Sequence, residues 1–365
     1  MNRRQILVGG GVGLLAIGGS GTLLAARQMG SAADYDESAR AIRKTLAANP
    51  VATEFVRYAT LAANGHNTQP WQFAVAPNVI TIAPDFARRT PVVDPDDHHL
   101  FVSLGCAAQN LRLAAAARGF RGDPSFDAAS GKISFPYEAA PRDASALFDA
   151  IPRRQSTRAE YDGRAVEPVD LGTLAAAAAG PGVAMILITE RPAMNRIRDL
   201  VLAGNSAQMA DPAFLRELKS WLRFNPRQAL SRGDGLYSAA SGSATLPSWL
   251  GPRGFDLFVT AQSENDKYAR QLRSSSGIAV FVGEKADREH WVLTGQACQR
   301  FALQATALGL KHAFVNQPVE VPQFRPELAA LVGMAGKRPD IVMRFGRGPL
   351  LPYAPRRPVA TVLAA

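Results

Sequence analysis

The sequence predicts an α+β fold built from two repeated halves in one chain. Three observations predict it. Residues 97–120 and 287–310 match at a constant offset of 190, sharing Asp97/Asp287, Gly105/Gly295, Gln109/Gln299 and Gly119/Gly309. Both runs have a helical alanine-rich stripe and a terminal glycine, so each reads as a long helix of one half. Short strand-like segments recur around each run. Finally, 365 residues at 47% apolar and 20% charged suit a globular chain with one large or two ordinary domains.

Residues 1–33 read as an export signal or membrane anchor. Arg3-Arg4-Gln5-Ile6-Leu7 precedes an apolar stretch to Ala26, then small residues at Gly30–Ala33. The adjacent arginines resemble a twin-arginine motif, which implies the twin-arginine export machinery as a partner. The expected location is the periplasm or cell envelope, with anchoring to the inner membrane by residues 6–26 as the variant. Gly11-Val12-Gly13-Leu14-Leu15-Ala16 also fits a dinucleotide fingerprint. However, the helix it should open would carry Gly18, Gly19 and Gly21 and no polar face, which disfavours that reading.

The first half, residues 34–148, predicts helices near 37–48 and 51–63, strands at 71–76 and 78–83, helix 97–118 and strand 132–136. The second, residues 149–365, predicts helix 170–179, strand 183–189 and helices 191–204 and 212–224. Strand 277–283, helix 286–308 and strands 312–315 and 339–346 follow. Residues 225–256, rich in Gly, Ser and Pro, read as an inserted loop long enough for a lid.

A net charge of +10 raises nucleic-acid binding. The arginines are scattered and no nucleic-acid motif is present, which argues against it. Cys106 and Cys298 form neither a disulfide framework nor a zinc site. His98 and His99 follow Asp94, Asp96 and Asp97. Acidic residues at a helix start explain that grouping better than a metal does, so no metal is expected. There is no G-x-S-x-G elbow for a serine hydrolase.

Two short motifs carry chemistry. Asn64-Gly65-His66-Asn67-Thr68-Gln69-Pro70-Trp71 ends a helix with a flexible glycine and several amides. It suits the polar edge of a planar heteroaromatic ring, or simply an Asn-Gly turn before a buried Trp. Arg154-Gln155-Ser156-Thr157-Arg158 brings two guanidinium groups and a hydroxyl together. It suits a phosphate monoester, or a solvated basic linker. Arg356-Arg357-Pro358 near the C-terminus reads alone as a basic tail.

Together these motifs resemble the nitroreductase family of FMN enzymes. Arg154, Ser156 and Arg158 match its Arg-x-Ser-x-Arg element. Asn67, Gln69, Pro70 and Trp71 match its Ser-x-x-Asn-x-Gln-Pro-Trp loop, with Asn64 in place of the serine. Val315-Asn316-Gln317-Pro318 maps onto its loop near flavin N5, and Arg356 and Arg357 onto its basic pair. The order departs from ordinary members, because the Gln-Pro-Trp loop lies in one half and Arg-x-Ser-x-Arg in the other. This is similar to the fused branch typified by the mycobacterial Acg proteins.

The resemblance implies an intramolecular pseudo-dimer, each half a central, mostly antiparallel sheet flanked by helices. It implies a monomer with one FMN. The phosphate would be held by Arg154, Gln155, Ser156, Arg158, Arg356 and Arg357. The ring or ribityl chain would meet Asn64, Gly65, Asn67 and Gln69, with Asn316 and Gln317 near N5. The implied reaction reduces a nitroaromatic, quinone or other electron-poor small molecule, from a donor the sequence does not identify. It requires no protein acid or base, so no catalytic side chain is assigned. A non-catalytic FMN-sequestering protein with a lid is the alternative.

Overall fold

The computed structural model describes residues 28–364. The export signal and the glycine fingerprint therefore lie largely outside the described residues. Among the described residues no helix is long and apolar enough to cross a membrane.

The first half carries an antiparallel four-stranded sheet in the order Trp71–Ala76, Val79–Pro84, Lys132–Pro136, Ser125–Asp127. Alternation explains its burial: Trp71 and Phe73, then Ile80 and Ile82, point into the core while their neighbours face outward. The second half carries a sheet in the order Lys311–Phe314, Pro339–Gly346, Gly277–Gly283, Val183–Ile188, also antiparallel. Its two central strands are buried throughout. Gly277–Gly283 is a continuous apolar run, as a strand covered on both faces requires, while Pro339–Gly346 buries Asp340 and Arg344 among its apolar residues.

Between the sheets lie two long helices, His98–Ala116 and Arg288–Ala307. They cross where glycine removes the side chain. A Cβ on Gly105 would lie 2.0 Å from the Val292 carbonyl oxygen, and one on Gly295 would lie 2.0 Å from that of Val102. Four residues further on, Gln299 donates to Asn110 at 2.8 Å and Arg300 donates to Gln109 at 3.1 Å. Every one of these contacts is reciprocal at the 190-residue offset read from the sequence. One hydrophobic core runs through both sheets and both helices.

Several elements differ from expectation. The first helix covers Ala32–Ala41 rather than 37–48, because the Ser31 side chain accepts from the Asp34 N–H and starts it early. The helix expected at 212–224 stops at Trp221. The next two residues pair with Leu236–Tyr237 instead. The inserted stretch is not a bare loop: it holds helix Pro226–Arg232, capped by Asn225, and leads into helix Gly251–Phe258. Helix Ala261–Arg273, closed by a Thr260/Ser263 capping box, was not expected at all. Asp97 and Asp287 also differ. Asp287 caps its helix, but Asp97 sits at φ 61° and Asp94 caps in its place, accepting from the His99 and Leu100 N–H groups.

The C-terminal tail crosses back to the first half. The Phe73 N–H donates to the Val362 carbonyl at 2.8 Å, and the Ala364 N–H to that of Phe73 at 2.7 Å. This return brings Arg356 and Arg357 onto the Asn64–Trp71 loop.

Candidate functional site

The loop after helix Ala52–Ala59 is strained. His66, Asn67 and Gln69 have φ of 47°, 53° and 53°, a conformation that costs non-glycine residues about 1–3 kcal/mol each. A set of hydrogen bonds holds it. Asn64 Oδ1 accepts from the Gln69 N–H at 2.9 Å, and the Gly65 N–H donates to Ser103 Oγ at 3.2 Å. Asn67 Nδ2 donates to the Gly235 and Pro355 carbonyls, and Gln69 Nε2 donates to that of Gly233. Gln69 Oε1 accepts from the Arg357 N–H.

These bonds engage two of the expected site residues within the protein. The amides of Asn67 and Gln69 are spent within the protein and bind the insertion and tail to the loop. Asn67 borders only the small cavity described below, and fully buried Gln69 borders neither cavity.

Three arginines converge beside the loop. Arg356 is saturated, donating to the carbonyls of Thr60, Leu61 and Ala62 and to Asn67 Oδ1. These carbonyls end helix Ala52–Ala59, where a cation is favoured. Arg43 lies 4.1 Å over the Tyr353 ring and donates to the Ala39 and Ala354 carbonyls. Arg154 donates one N–H to the Leu61 carbonyl at 3.1 Å, while its Nε and Nη1 are buried without a partner.

Among the described residues no carboxylate pairs with any of the three. Burial first, then repulsion from Arg154, lowers the Arg43 pKa to about 10. Burial, then Arg43 and Arg154, lowers that of Arg356 well below its usual value. Arg154 is buried and Arg43 and Arg356 are partly so; cations held this way without a counter-charge are costly, so the cluster suits an anion.

The cluster lines a cavity of about 60 Å³, closed by Ser156, Arg158 and Gly235–Tyr237 of the insertion. Ser156 is fixed by a backbone bridge to His312 on the edge strand. Gln155 is nearby but occupied, donating to the Leu351 carbonyl at 2.7 Å. Arg357 is not part of the cluster. Its guanidinium turns to the Thr361 carbonyl and lies 3.8 Å from Asp85, because Pro358 and the tail direct it away. Arg43 was missed by sequence reasoning, since nothing near it in the sequence links it to Arg154 or Arg356.

The small cavity opens past Asn64, Arg158, Leu236 and Phe314 into a larger one of about 530 Å³, within the range typical of cofactor and ligand sites. Its floor is Gly65, His66, Val102, Ser103 and Cys106. Asn316, Gln317 and Glu320 form one wall, and Leu246 and Phe255 form the roof. Asn316 is held by its Oδ1, which accepts from the Val342 N–H at 2.9 Å.

Burial dominates the titration of this cavity. It lowers His66 to about 4, helped by Arg158, and lowers His99 to about 4, helped by His98. It raises Glu320, which accepts from Gln208 Nε2 at 2.6 Å. The histidines are therefore neutral near pH 7.

Asp94, His98 and His99 offer ligand atoms within 4.8 Å of one another. Both Asp94 oxygens already accept backbone N–H groups and His98 Nε2 lies 2.9 Å from Asp340 Oδ1, so the grouping is a helix start with a buried His–Asp contact.

Fold and site thus define a class: a two-half α+β scaffold with an arginine-lined cavity beside a larger, largely apolar chamber. No family model matches the chain. It is 27% identical over 321 residues to a Mycobacterium tuberculosis protein named "Putative NAD(P)H nitroreductase Rv3131", covering 82% of this chain and 86% of that one. That relationship supports the nitroreductase resemblance. Among solved structures, the FMN-dependent nitroreductase NfnB of Mycobacterium smegmatis, in complex with NADPH, aligns at TM-score 0.41 and 14% identity over 59% of this chain and 96% of that one. An FMN-bound nitroreductase of Desulfitobacterium hafniense aligns at 0.38 and 15%, over 59% and 95%.

Proposed function

We propose that this chain is an FMN-dependent oxidoreductase of the nitroreductase type, exported and monomeric, with one FMN held between fused halves. The observation that carries this reading is the buried, unpartnered Arg154 guanidinium in the small cavity. A phosphate monoester supplies the missing acceptors and charge, and the larger chamber accommodates a planar ring.

Arg43, Arg154 and Arg356 neutralise the phosphate, while Ser156 and Arg158 close over it. Asn64 and Gly65 flank the ring on one side, and the segment Asn316–Gln317 flanks it on the other. Asn67, Gln69 and Arg357 hold the surrounding backbone. Bound FMN supplies two-electron or one-electron transfer between a donor and an electron-poor small molecule such as a nitroaromatic or quinone. The protein's part is to fix the ring and exclude water from it. The reciprocal contacts at the 190-residue offset support the fused-dimer reading, in which each half supplies what the other lacks.

A second reading has its own supporting observation. The insertion roofs the chamber, as a sequestering lid would. Purified holoprotein treated in turn with NADPH, NADH and a quinol analogue separates the two. Bleaching of the flavin by one donor, with reoxidation by a quinone, is expected. A flavin that no donor reduces supports storage instead.

A further inference from the structure

We propose that the insertion docks on an anionic phospholipid bilayer, so that the chamber takes its apolar redox partner from lipid. Helical hydrogen bonding runs from the Pro247 carbonyl through helix Gly251–Phe258. At that spacing Trp249, Arg253 and Leu257 form one stripe, with Phe258 beside it. Trp249 is 56% exposed, Leu257 70% and Phe258 75%, far more than a soluble face of this size needs to show. Trp with a neighbouring Arg is the pair that settles at a membrane interface, with the apolar side chains below.

Two further observations indicate what covers this face. First, the same short helix lines the chamber: Phe255 is buried in its roof, and Phe258 stands at its rim while also facing outward. The exposed patch is therefore continuous with the cavity wall.

Second, the described residues begin against the insertion, at its helix Pro226–Arg232. A Cβ on Gly30 would lie 2.7 Å from the Arg227 backbone nitrogen. Two residues away, Asn225 Nδ2 donates to the Leu246 carbonyl and to Ser248 Oγ, next to Trp249. In the sequence, the residues before these are apolar from 6 to 26. The net charge of +10 complements anionic headgroups. Docking rests on these residues alone; only the redox character of the lipid-borne partner rests on the proposed function.

The test uses the full-length chain with vesicles of phosphatidylcholine, with and without phosphatidylglycerol, whose acyl chains carry bromine as a contact quencher. The difference in emission between the native chain and Trp249→Phe reports Trp249 alone. Quenching of that difference is expected, stronger with phosphatidylglycerol. In the double variant Leu257→Ser/Phe258→Ser, checked for folding by circular dichroism, quenching should fall by about twofold or more.

A chain that floats with the vesicles while Trp249 stays unquenched would overturn the proposal, as would a chain that does not float. Shielding of Trp249 without lipid, together with a doubled solution mass, would assign the face to a second copy and also overturn it. None of these readings needs flavin, so they stand apart from failure of the proposed function.

Discussion

Arg154 is where chemistry and energetics meet in single residues. Its two unpartnered donors define a ligand by what is missing. Charge-assisted hydrogen bonds are the strong ones, so Arg154→Leu should weaken FMN on the order of tenfold to a hundredfold. Riboflavin, which lacks the phosphate, should be affected far less. Equilibrium dialysis of both flavins checks this.

His66 gives a second prediction. Its folded pKa is lowered to about 4, below the unfolded value of about 6.5, so the unfolded state binds the proton first. Stability is therefore full above about pH 6.5 and is lost as pH falls towards 4, by on the order of 1–2 kcal/mol at pH 5. His99 acts in the same direction, while Asp340, raised to about 6 by burial, and Glu320 act against it. His66→Asn keeps a residue that tolerates positive φ and removes the proton site. Thermal melts from pH 7.5 to 5 should fall less steeply in that variant.

At the scale of elements, the glycine crossing decides how the halves meet. A methyl group at Gly105 or Gly295 would enter a backbone carbonyl 2.0 Å away, which side-chain adjustment cannot relieve. Gly105→Ala and Gly295→Ala should each cost about 1–3 kcal/mol, and more if the helices separate. Chemical denaturation should show a lower midpoint for both, and the reciprocity predicts similar losses.

The pairing of the two glycines was legible in the sequence, because both belong to the repeat; that the helices cross there was not. The strands were legible too, since Trp71–Ala76 is mostly aromatic and apolar after a Pro and Gly277–Gly283 is uniformly apolar. Helix Ala261–Arg273 was not: its stripe is weak, and it is defined by its cap and by packing on helix Arg191–Met209. The insertion's helices were hidden by a Gly- and Pro-rich composition that usually marks loops.

Across the whole molecule, the two motifs read from the sequence do come together, but with divided roles. Arg154 and Ser156 both line the small cavity. Asn67 and Gln69 hold backbone, and Arg357 turns away. Spacing revealed proximity in the chain; it could not reveal which amide is spent on which carbonyl, because those partners, Gly233, Gly235 and Pro355, are far off in sequence. Arg43 was illegible for the same reason.

The fused-dimer account makes the protein a monomer, since the chain already contains both halves of its site. The central claim is one flavin phosphate per chain in the arginine cradle. Its most direct test is the mass of the purified particle measured together with the FMN released per chain. One FMN in a monomer is the predicted result. A colourless protein that cannot be reconstituted with FMN, or two FMN per chain, would contradict it.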